Sequence, residues 1–117
     1  MHGHIKLQEN DNIRYFEERR TGRTTRMLKA ALKSKKGIVF IIAPTLQMAK
    51  FCIIPMFLYQ LDMNNVDYTF VKSKLQVKVG NKTFVFTNEE SLNDTSYYKG
   101  LNDYDIYRDH TCYELDN

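Results

Sequence analysis

Six consecutive apolar residues, Ile38–Ala43, constrain the fold of this chain more than any other segment. The run is rich in β-branched residues, and a continuous apolar run of this kind is typical of a strand buried on both faces. Such strands occur in parallel sheets that carry helices on each side. Both this run and Phe51–Leu58 are far shorter than the roughly 20 residues that span a bilayer. The sequence therefore predicts the central strand of an α/β domain and no membrane association.

Length and composition fit one ordinary globular domain. The chain has 117 residues, of which 43% are hydrophobic and 26% charged, and its formal net charge is +3. These values exclude a disordered, collagen-like, low-complexity or polybasic histone-like protein. We expect a single domain over residues 1–117, with residues 1–12 as a flexible N-terminal segment. No secretion signal is visible and neither Cys52 nor Cys112 lies in a CxxC pair, so we expect a reduced, cytoplasmic protein, with a disulfide as the alternative.

Helical patterns occur on both sides of the central strand. From Thr24 onward, apolar residues recur at three- and four-residue spacing while cations occupy the other face, which predicts a helix. The segment Leu46–Leu61 is strongly apolar, and Pro55 inside it predicts a kink or two short helices. Thr45 is expected to cap the start of this segment. Upstream of the first helix, Ile13–Phe16 fits a short strand and a helical turn equally well.

Strands are predicted in the second half of the chain. Two alternating segments, Lys74–Val79 and Thr83–Thr87, flank Gly80–Asn81, which indicates a hairpin. The sequence does not specify the turn type of this hairpin. We interpret Asn88–Asn102 as a polar loop and Tyr104–Asp109 as a final strand. Helical and strand patterns thus alternate, with one hairpin inserted, and this order favours a small α/β domain.

The clearest chemical signal is the segment Arg19–Arg26, which reads Arg-Arg-Thr-Gly-Arg-Thr-Thr-Arg at the start of the first helix. A glycine before a helix N-terminus lets backbone N–H groups converge on an anion, and the helix dipole favours that anion. In the phosphate-loop pattern GxxxxGK[ST], Gly22 and Thr24 match, Arg23 replaces the lysine, and Glu17 replaces the first glycine. The segment predicts a phosphate site, and a basic helix start on a solvated face is the alternative.

The motifs of the chain follow one another in a fixed order: Gly22–Thr25, Phe40–Thr45, Gln47–Lys50, Gly80–Asn81, Lys99–Gly100 and Tyr104–His110. Over about residues 19–114 this order resembles the ATPase core of phage large terminases and related helicase-like motors. In that family a phosphate loop and helix precede a strand ending in Ala-Pro-Thr, and a hairpin precedes an acidic Walker B strand. Thr21–Met27 and the Asp-His-x-x-x-Glu segment that begins at Asp109 also resemble small phage-encoded P-loop proteins.

The resemblance implies a minimal P-loop NTPase-like, three-layer α/β domain with a small, mostly parallel sheet. It also implies a ligand, Mg²⁺ with ATP or another nucleoside triphosphate, and a set of phosphate-binding residues: Arg20, Gly22, Arg23, Thr24, Thr25 and Arg26. Thr24 and Asp109 would hold the metal and its water shell. His110 stands where such motors carry a catalytic glutamate, and Glu114 is the nearest spare carboxylate, so hydrolysis is expected to be weak or absent. The alternative is that Asp109 only ends a strand and that His110 is a surface residue.

Three functions stay open from the sequence. The first is nucleotide binding with weak or absent hydrolysis, in a phage-encoded protein of the host cytoplasm. The second is a non-enzymatic interaction or inhibitor protein on a truncated motor scaffold, which binds a phage or host protein or a second copy of itself. The third is a nucleic-acid-binding accessory protein that uses the cluster Arg19, Arg20, Arg23 and Arg26, although a net charge of +3 does not favour strong non-specific binding. Because only eight residues follow Asp109, we expect the strands that complete a motor core to be absent.

Overall fold

A five-stranded sheet forms the centre of the protein, with helices packed against it. The computed structural model describes residues 22–94 and 103–114. The described elements, in chain order, are α1 (Arg23–Leu32), β1 (Ile38–Ala43), α2 (Leu46–Met48), a π-helical turn (Ala49–Ile53), α3 (Ile54–Met63), β2 (Thr69–Val71), a 3-10 turn (Lys72–Lys74), β3 (Gln76–Val79), β4 (Lys82–Asn88), α4 (Glu89–Asp94), β5 (Tyr104–Arg108) and α5 (Thr111–Glu114). Several sequence predictions lie outside these residues: the flexible segment 1–12, Ile13–Phe16, Arg19, Arg20, Lys99–Gly100 and the part of the predicted polar loop after Asp94.

The predicted central strand is confirmed. Ile38–Ala43 forms β1, and its residues from Val39 onward are buried. It pairs in parallel with β4 on one side and with β5 on the other. Because both neighbouring strands and both faces are covered, every side chain of β1 beyond Ile38 must be apolar, which explains the continuous hydrophobic run.

The α/β class is confirmed, but the sheet is mixed where the sequence predicted a mostly parallel one. Its strand order is β2-β3-β4-β1-β5, and the pairs β2–β3 and β3–β4 are antiparallel. The predicted hairpin is present, with Val79 opposite Lys82 and a positive φ of 60° at Gly80. The hairpin strands extend the same sheet from β4 instead of projecting from it, so half of the strand pairs are antiparallel.

Side chains on the two faces of the sheet form two hydrophobic clusters. On one face, α1 and α3 pack over Val39 and Ile41. The ring centroid of Phe57 lies 4.9 Å from that of Phe84 and 5.3 Å from that of Phe86. On the other face, Phe40 and Ile42 contact residues of α4 and α5. The alternation along β1 therefore sends successive side chains to opposite clusters. Helices α1 and α3 lie side by side on the first face.

The interpretation of Asn88–Asn102 as a polar loop is wrong over Glu89–Asp94, which forms α4. The amide of Ser91 donates to the side-chain oxygen of Asn88 at 3.0 Å, so Asn88 caps the helix. Two glutamates occupy the first turn, where the helix dipole favours negative charge. One buried residue, Leu92, attaches α4 to the sheet. A single apolar residue gives no helical periodicity in the sequence.

The apolar segment Leu46–Met63 is helical throughout, and a π-helical turn directly before Pro55 distorts it where the sequence predicts a kink or two short helices. Because helical residues precede Pro55, its missing N–H leaves one helical hydrogen bond unmade at this distortion. The predicted cap is also present, because the amide of Met48 donates to the hydroxyl of Thr45 at 3.1 Å. None of the helices among the described residues has the length and apolar character needed to cross a membrane.

Helix α1 is fixed alongside β5 by polar contacts. Just past the C-terminus of α1, the Ser34 hydroxyl donates to Oδ2 of Asp105 at 2.5 Å, and the Ser34 oxygen accepts from the amide of Lys36 at 3.1 Å. Asp105 lies in β5. At the other end of the helix, the Thr24 hydroxyl donates to the carboxylate of Asp109, which directly follows β5. The first turn of α1 is thereby held at the carboxyl end of β5, which is where the predicted phosphate segment lies.

Candidate functional site at the start of the first helix

The N-terminus of α1 begins at a glycine in the left-handed region. Gly22 has φ 76° and ψ 8°, and its carbonyl accepts from the amide of Arg26 at 2.9 Å. The amides of Arg23, Thr24 and Thr25 have no acceptor inside the helix, and a glycine offers no side chain to cap them. The first turn also contains no acidic residue. These amides form the positive end of the helix dipole, a local geometry suited to an anion.

The backbone conformation at position 22 favours glycine. Its φ of 76° is one that side-chain-bearing residues rarely adopt, and a Cβ at this position would lie 3.1 Å from a guanidinium nitrogen of Arg26. The Arg26 side chain therefore lies against the glycine backbone. Both Arg26 and Arg23 are exposed, so two cations flank the helix start. The structure thus describes five of the six residues that the sequence predicts for the phosphate site, all at the start of α1, and Arg20 lies outside the described part of the chain.

A buried hydrogen bond joins this helix start to the end of β5. The hydroxyl of Thr24 donates to Oδ1 of Asp109 at 2.6 Å, although the residues are 85 positions apart, and both are fully buried. Asp109 directly follows β5, and its amide donates to the carbonyl of Ile42 at 2.9 Å. The parallel pairing of β5 with β1 thus places this carboxylate beneath the first turn of α1.

The second oxygen of this carboxylate is held by a residue that the sequence analysis missed. Both the amide and the hydroxyl of Thr111 donate to Oδ2 of Asp109, the amide at 3.3 Å. The Asp-x-Thr spacing was the available signal, because an aspartate commonly accepts from the backbone two residues ahead in a turn. These donors to Asp109 are neutral amide and hydroxyl groups, and they fix the plane of its carboxylate.

Thr24 and Asp109 offer oxygen atoms, the ligand type that Mg²⁺ prefers. The Thr24 hydroxyl donates a hydrogen bond to Asp109, which leaves the lone pairs of the Thr24 oxygen unused by that bond, and the side chain is buried. Mg²⁺ prefers oxygen ligands and usually keeps waters and substrate phosphate oxygens alongside one or two protein ligands. Across residues 22–94 and 103–114 no group of three or more His, Cys, Asp or Glu side chains is placed to hold a metal alone. A metal ion at this pair of oxygens would need further oxygen ligands from phosphate and water, because the protein alone does not supply a full set.

The remaining predicted residues lie around this centre to different degrees. His110 is half-buried in the turn between β5 and α5, next to Asp109 in the chain. Glu114 is the last residue of α5, and its side chain lies outside the described part of the structure. The carbonyl of Thr25 accepts from Nε2 of Gln60 at 3.3 Å, a contact from α3 that no sequence signal indicated. Oε1 of Gln60 is buried and has no hydrogen-bond partner among the described residues.

An ion pair lies at the end of β5, on the side of α4. The Arg108 guanidinium donates to both carboxylate oxygens of Glu89, at 2.8 and 2.9 Å. This bidentate contact lowers the pKa of Glu89. Arg108 is exposed, which explains how a charged residue occupies the final strand. The pair is solvent-accessible, so its role is to connect β5 to α4 and not to supply a large stabilisation.

We expect the thiol of Cys112 to resist alkylation in the folded protein. Burial, followed by the negative charges of Asp109 and Glu89, raises the pKa of Cys112 to about 11, and its Sγ donates to the carbonyl of Ile42 at 3.4 Å. The raised pKa favours the neutral thiol, whereas the thiolate is the reactive form. Iodoacetamide at pH 8 should modify this residue slowly in the native state and rapidly in urea, as followed by peptide mass mapping. Native modification should accelerate as the pH rises toward 11, and equal rates in buffer and urea at pH 8 would contradict the prediction.

Comparison with known proteins identifies no relative from which a role could be transferred. No family model, no curated protein and no solved structure matches the chain. The function must therefore be argued from the residues of the site.

Proposed function

We propose that this protein binds Mg²⁺ together with the phosphates of ATP or another nucleoside triphosphate at the N-terminus of α1, with weak or absent hydrolysis. The observation that carries the proposal is the 2.6 Å hydrogen bond from Thr24 to Asp109. It joins the two halves of a phosphate and metal site, the helix start and the acidic strand end, across 85 positions of sequence. A buried carboxylate therefore lies beneath the helix start whose first amides have no acceptor within the helix.

Each residue of the site has a separate role in this proposal. The backbone amides that follow Gly22 bind phosphate oxygens, and the Arg23 guanidinium adds positive charge beside them. The Thr24 oxygen serves as the metal ligand. Asp109 positions the Thr24 hydroxyl through the hydrogen bond at its Oδ1. Bound Mg²⁺ neutralises phosphate charge, and the residues of the chain supply the orientation.

Weak or absent hydrolysis follows from the surroundings of Asp109. This carboxylate is fully buried and both of its oxygens already accept hydrogen bonds, so it is placed to orient Thr24 and not to take a proton from water. The next residue is His110, where the resembled motors have a glutamate that polarises the attacking water. Imidazole is a competent base near neutral pH, but it lacks the negative charge that orients a water beside Mg²⁺.

Thermal unfolding with and without ligand tests the proposal. Mg²⁺ with ATP should raise the melting temperature, because a ligand at 100 times its Kd stabilises the native state by about 2.7 kcal/mol. Arg23→Ala should remove most of this shift, since Arg23 is the exposed first residue of α1 and contributes a positive charge at the helix start. Lys29→Ala is the matched control, because it removes an exposed cation from the same helix away from its N-terminus. That variant should keep the full shift.

Two outcomes would contradict parts of the proposal. The absence of a shift with millimolar ATP, GTP and ADP would contradict nucleotide binding and favour a non-enzymatic interaction protein. An equal shift with and without Mg²⁺ would contradict the role of Thr24 as a metal ligand. A phosphate-release assay on the wild type, Asp109→Ala and His110→Ala then measures hydrolysis, and turnover above the rate of a typical enzyme, about 10 per second, would contradict the assignment of weak activity.

A further inference from the structure

The distribution of charge along this chain is strongly uneven. Between Arg19 and Leu61 there are nine Lys and Arg residues and no Asp or Glu. All 14 acidic residues lie outside this segment, where they outnumber the remaining eight cations. The formal net charge of the whole chain is +3, whereas the segment from Arg19 to Leu61 carries +9.

The structure collects part of this charge on one side of α1. Arg26, Lys29 and Lys33 are exposed and follow one another at spacings of three and four residues, and Lys35 is exposed just beyond the helix. We name these four residues the cationic face. The opposite side of α1 is buried against the sheet. Helix α1 itself contains no acidic residue.

We infer that the cationic face binds the phosphate backbone of nucleic acid without reading base sequence. The positions from Arg26 to Lys33 span about 10 Å along the helix axis, a length over which one strand of duplex DNA carries about three phosphates. Long, exposed cations at this density release counterions from a polyanion, which is the main source of sequence-independent affinity. This surface shares Arg26 with the start of α1 and extends from there along the helix, and binding of a phosphate backbone to it requires no nucleotide.

The composition of the cationic face favours nucleic acid over a membrane surface or a protein as its partner. A membrane-binding helix carries large apolar residues that enter the bilayer interface, whereas the exposed part of α1 adds only Ala30 to its cations. A protein interface is usually built around aromatic and apolar residues, and the exposed examples, Phe51, Tyr59 and Met63, lie outside α1. Interfaces with nucleic acid are more polar and more positively charged than either.

Fluorescence anisotropy with a labelled 20-base-pair duplex of arbitrary sequence tests the inference, without nucleotide or Mg²⁺. Four phosphate contacts predict that log K falls with log salt with a slope of about −3.6, or roughly 100-fold weaker binding at 200 mM than at 50 mM salt. Lys29→Gln with Lys33→Gln should halve that slope and weaken binding at least about tenfold at 50 mM salt. Glutamine retains helix propensity, and circular dichroism confirms folding.

The matched control is Lys72→Gln with Lys74→Gln, which removes the same charge from exposed positions beside β2, at the opposite edge of the sheet from β5. This pair should leave the salt slope unchanged. Equal loss in both double variants would overturn the inference, because net charge alone would then explain the binding. The absence of binding at 50 mM salt would also overturn it, as would tighter binding to phosphatidylserine vesicles or polyglutamate than to the duplex. The Lys29→Gln/Lys33→Gln pair should keep the shift with ATP, so the two proposals fail separately.

Discussion

Replacing Phe57 by alanine is expected to lower the free energy of unfolding by about 3–5 kcal/mol, the range for a large aromatic residue removed from a core. Phe57 is 0% exposed, and its ring contacts those of Phe84 and Phe86 at 4.9 and 5.3 Å. These contacts join α3 to β4 through the larger hydrophobic cluster. Truncation removes apolar surface from the core and leaves a cavity that α3 and the sheet can only partly close.

Urea unfolding followed by circular dichroism measures this effect. A domain is typically stable by about 5–15 kcal/mol, so Phe57→Leu is included as a milder variant that retains enough stability to be measured. The matched control is Tyr59→Ala, two positions along the same helix at 64% exposure, which should change the free energy of unfolding by less than about 0.5 kcal/mol. Similar losses at positions 57 and 59 would contradict the placement of α3.

The elements that the sequence predicts correctly are those with a strong local signal. β1 is a continuous apolar run, and the hairpin has alternating strands on either side of Gly80–Asn81. These patterns depend on burial and on turn geometry within a few residues. The β2 strand was missed because its three residues, Thr69–Val71, gain their strand conformation from pairing with β3. Pairing of this kind is decided by the tertiary structure and leaves little trace in a short segment.

The candidate site was predictable to a similar extent. Gly22, Thr24 and Asp109 each occupy a recognisable position at an element boundary, and the sequence order suggests that they belong together. Their contact depends on the register of β5 beside β1, which the chain sequence does not display. Thr111 and Gln60 were missed because a hydroxyl or amide acquires its partner only when the elements pack.

Substitution of Thr24 distinguishes most sharply between a structural role and a ligand-binding role for its hydroxyl. Thr24→Val keeps the shape of the side chain but removes the donor to Oδ1 of Asp109, which stays buried. We expect a loss of about 1–3 kcal/mol in the free energy of unfolding, the cost of a buried polar group left without its partner. We also expect the melting shift with Mg²⁺ and ATP to disappear, because the metal ligand is lost.

Two further substitutions complete this test. Thr24→Ser keeps the hydroxyl and should retain the melting shift. Thr111→Val removes a donor from the other oxygen of Asp109 while leaving α1 untouched, so it should lower stability to a similar extent but keep the shift with ligand. Retention of the full shift in Thr24→Val, or its loss in Thr24→Ser, would contradict the proposed metal contact. If Thr111→Val and Thr24→Val lost the shift equally, the requirement would be for an ordered Asp109 and not for the Thr24 oxygen as a ligand.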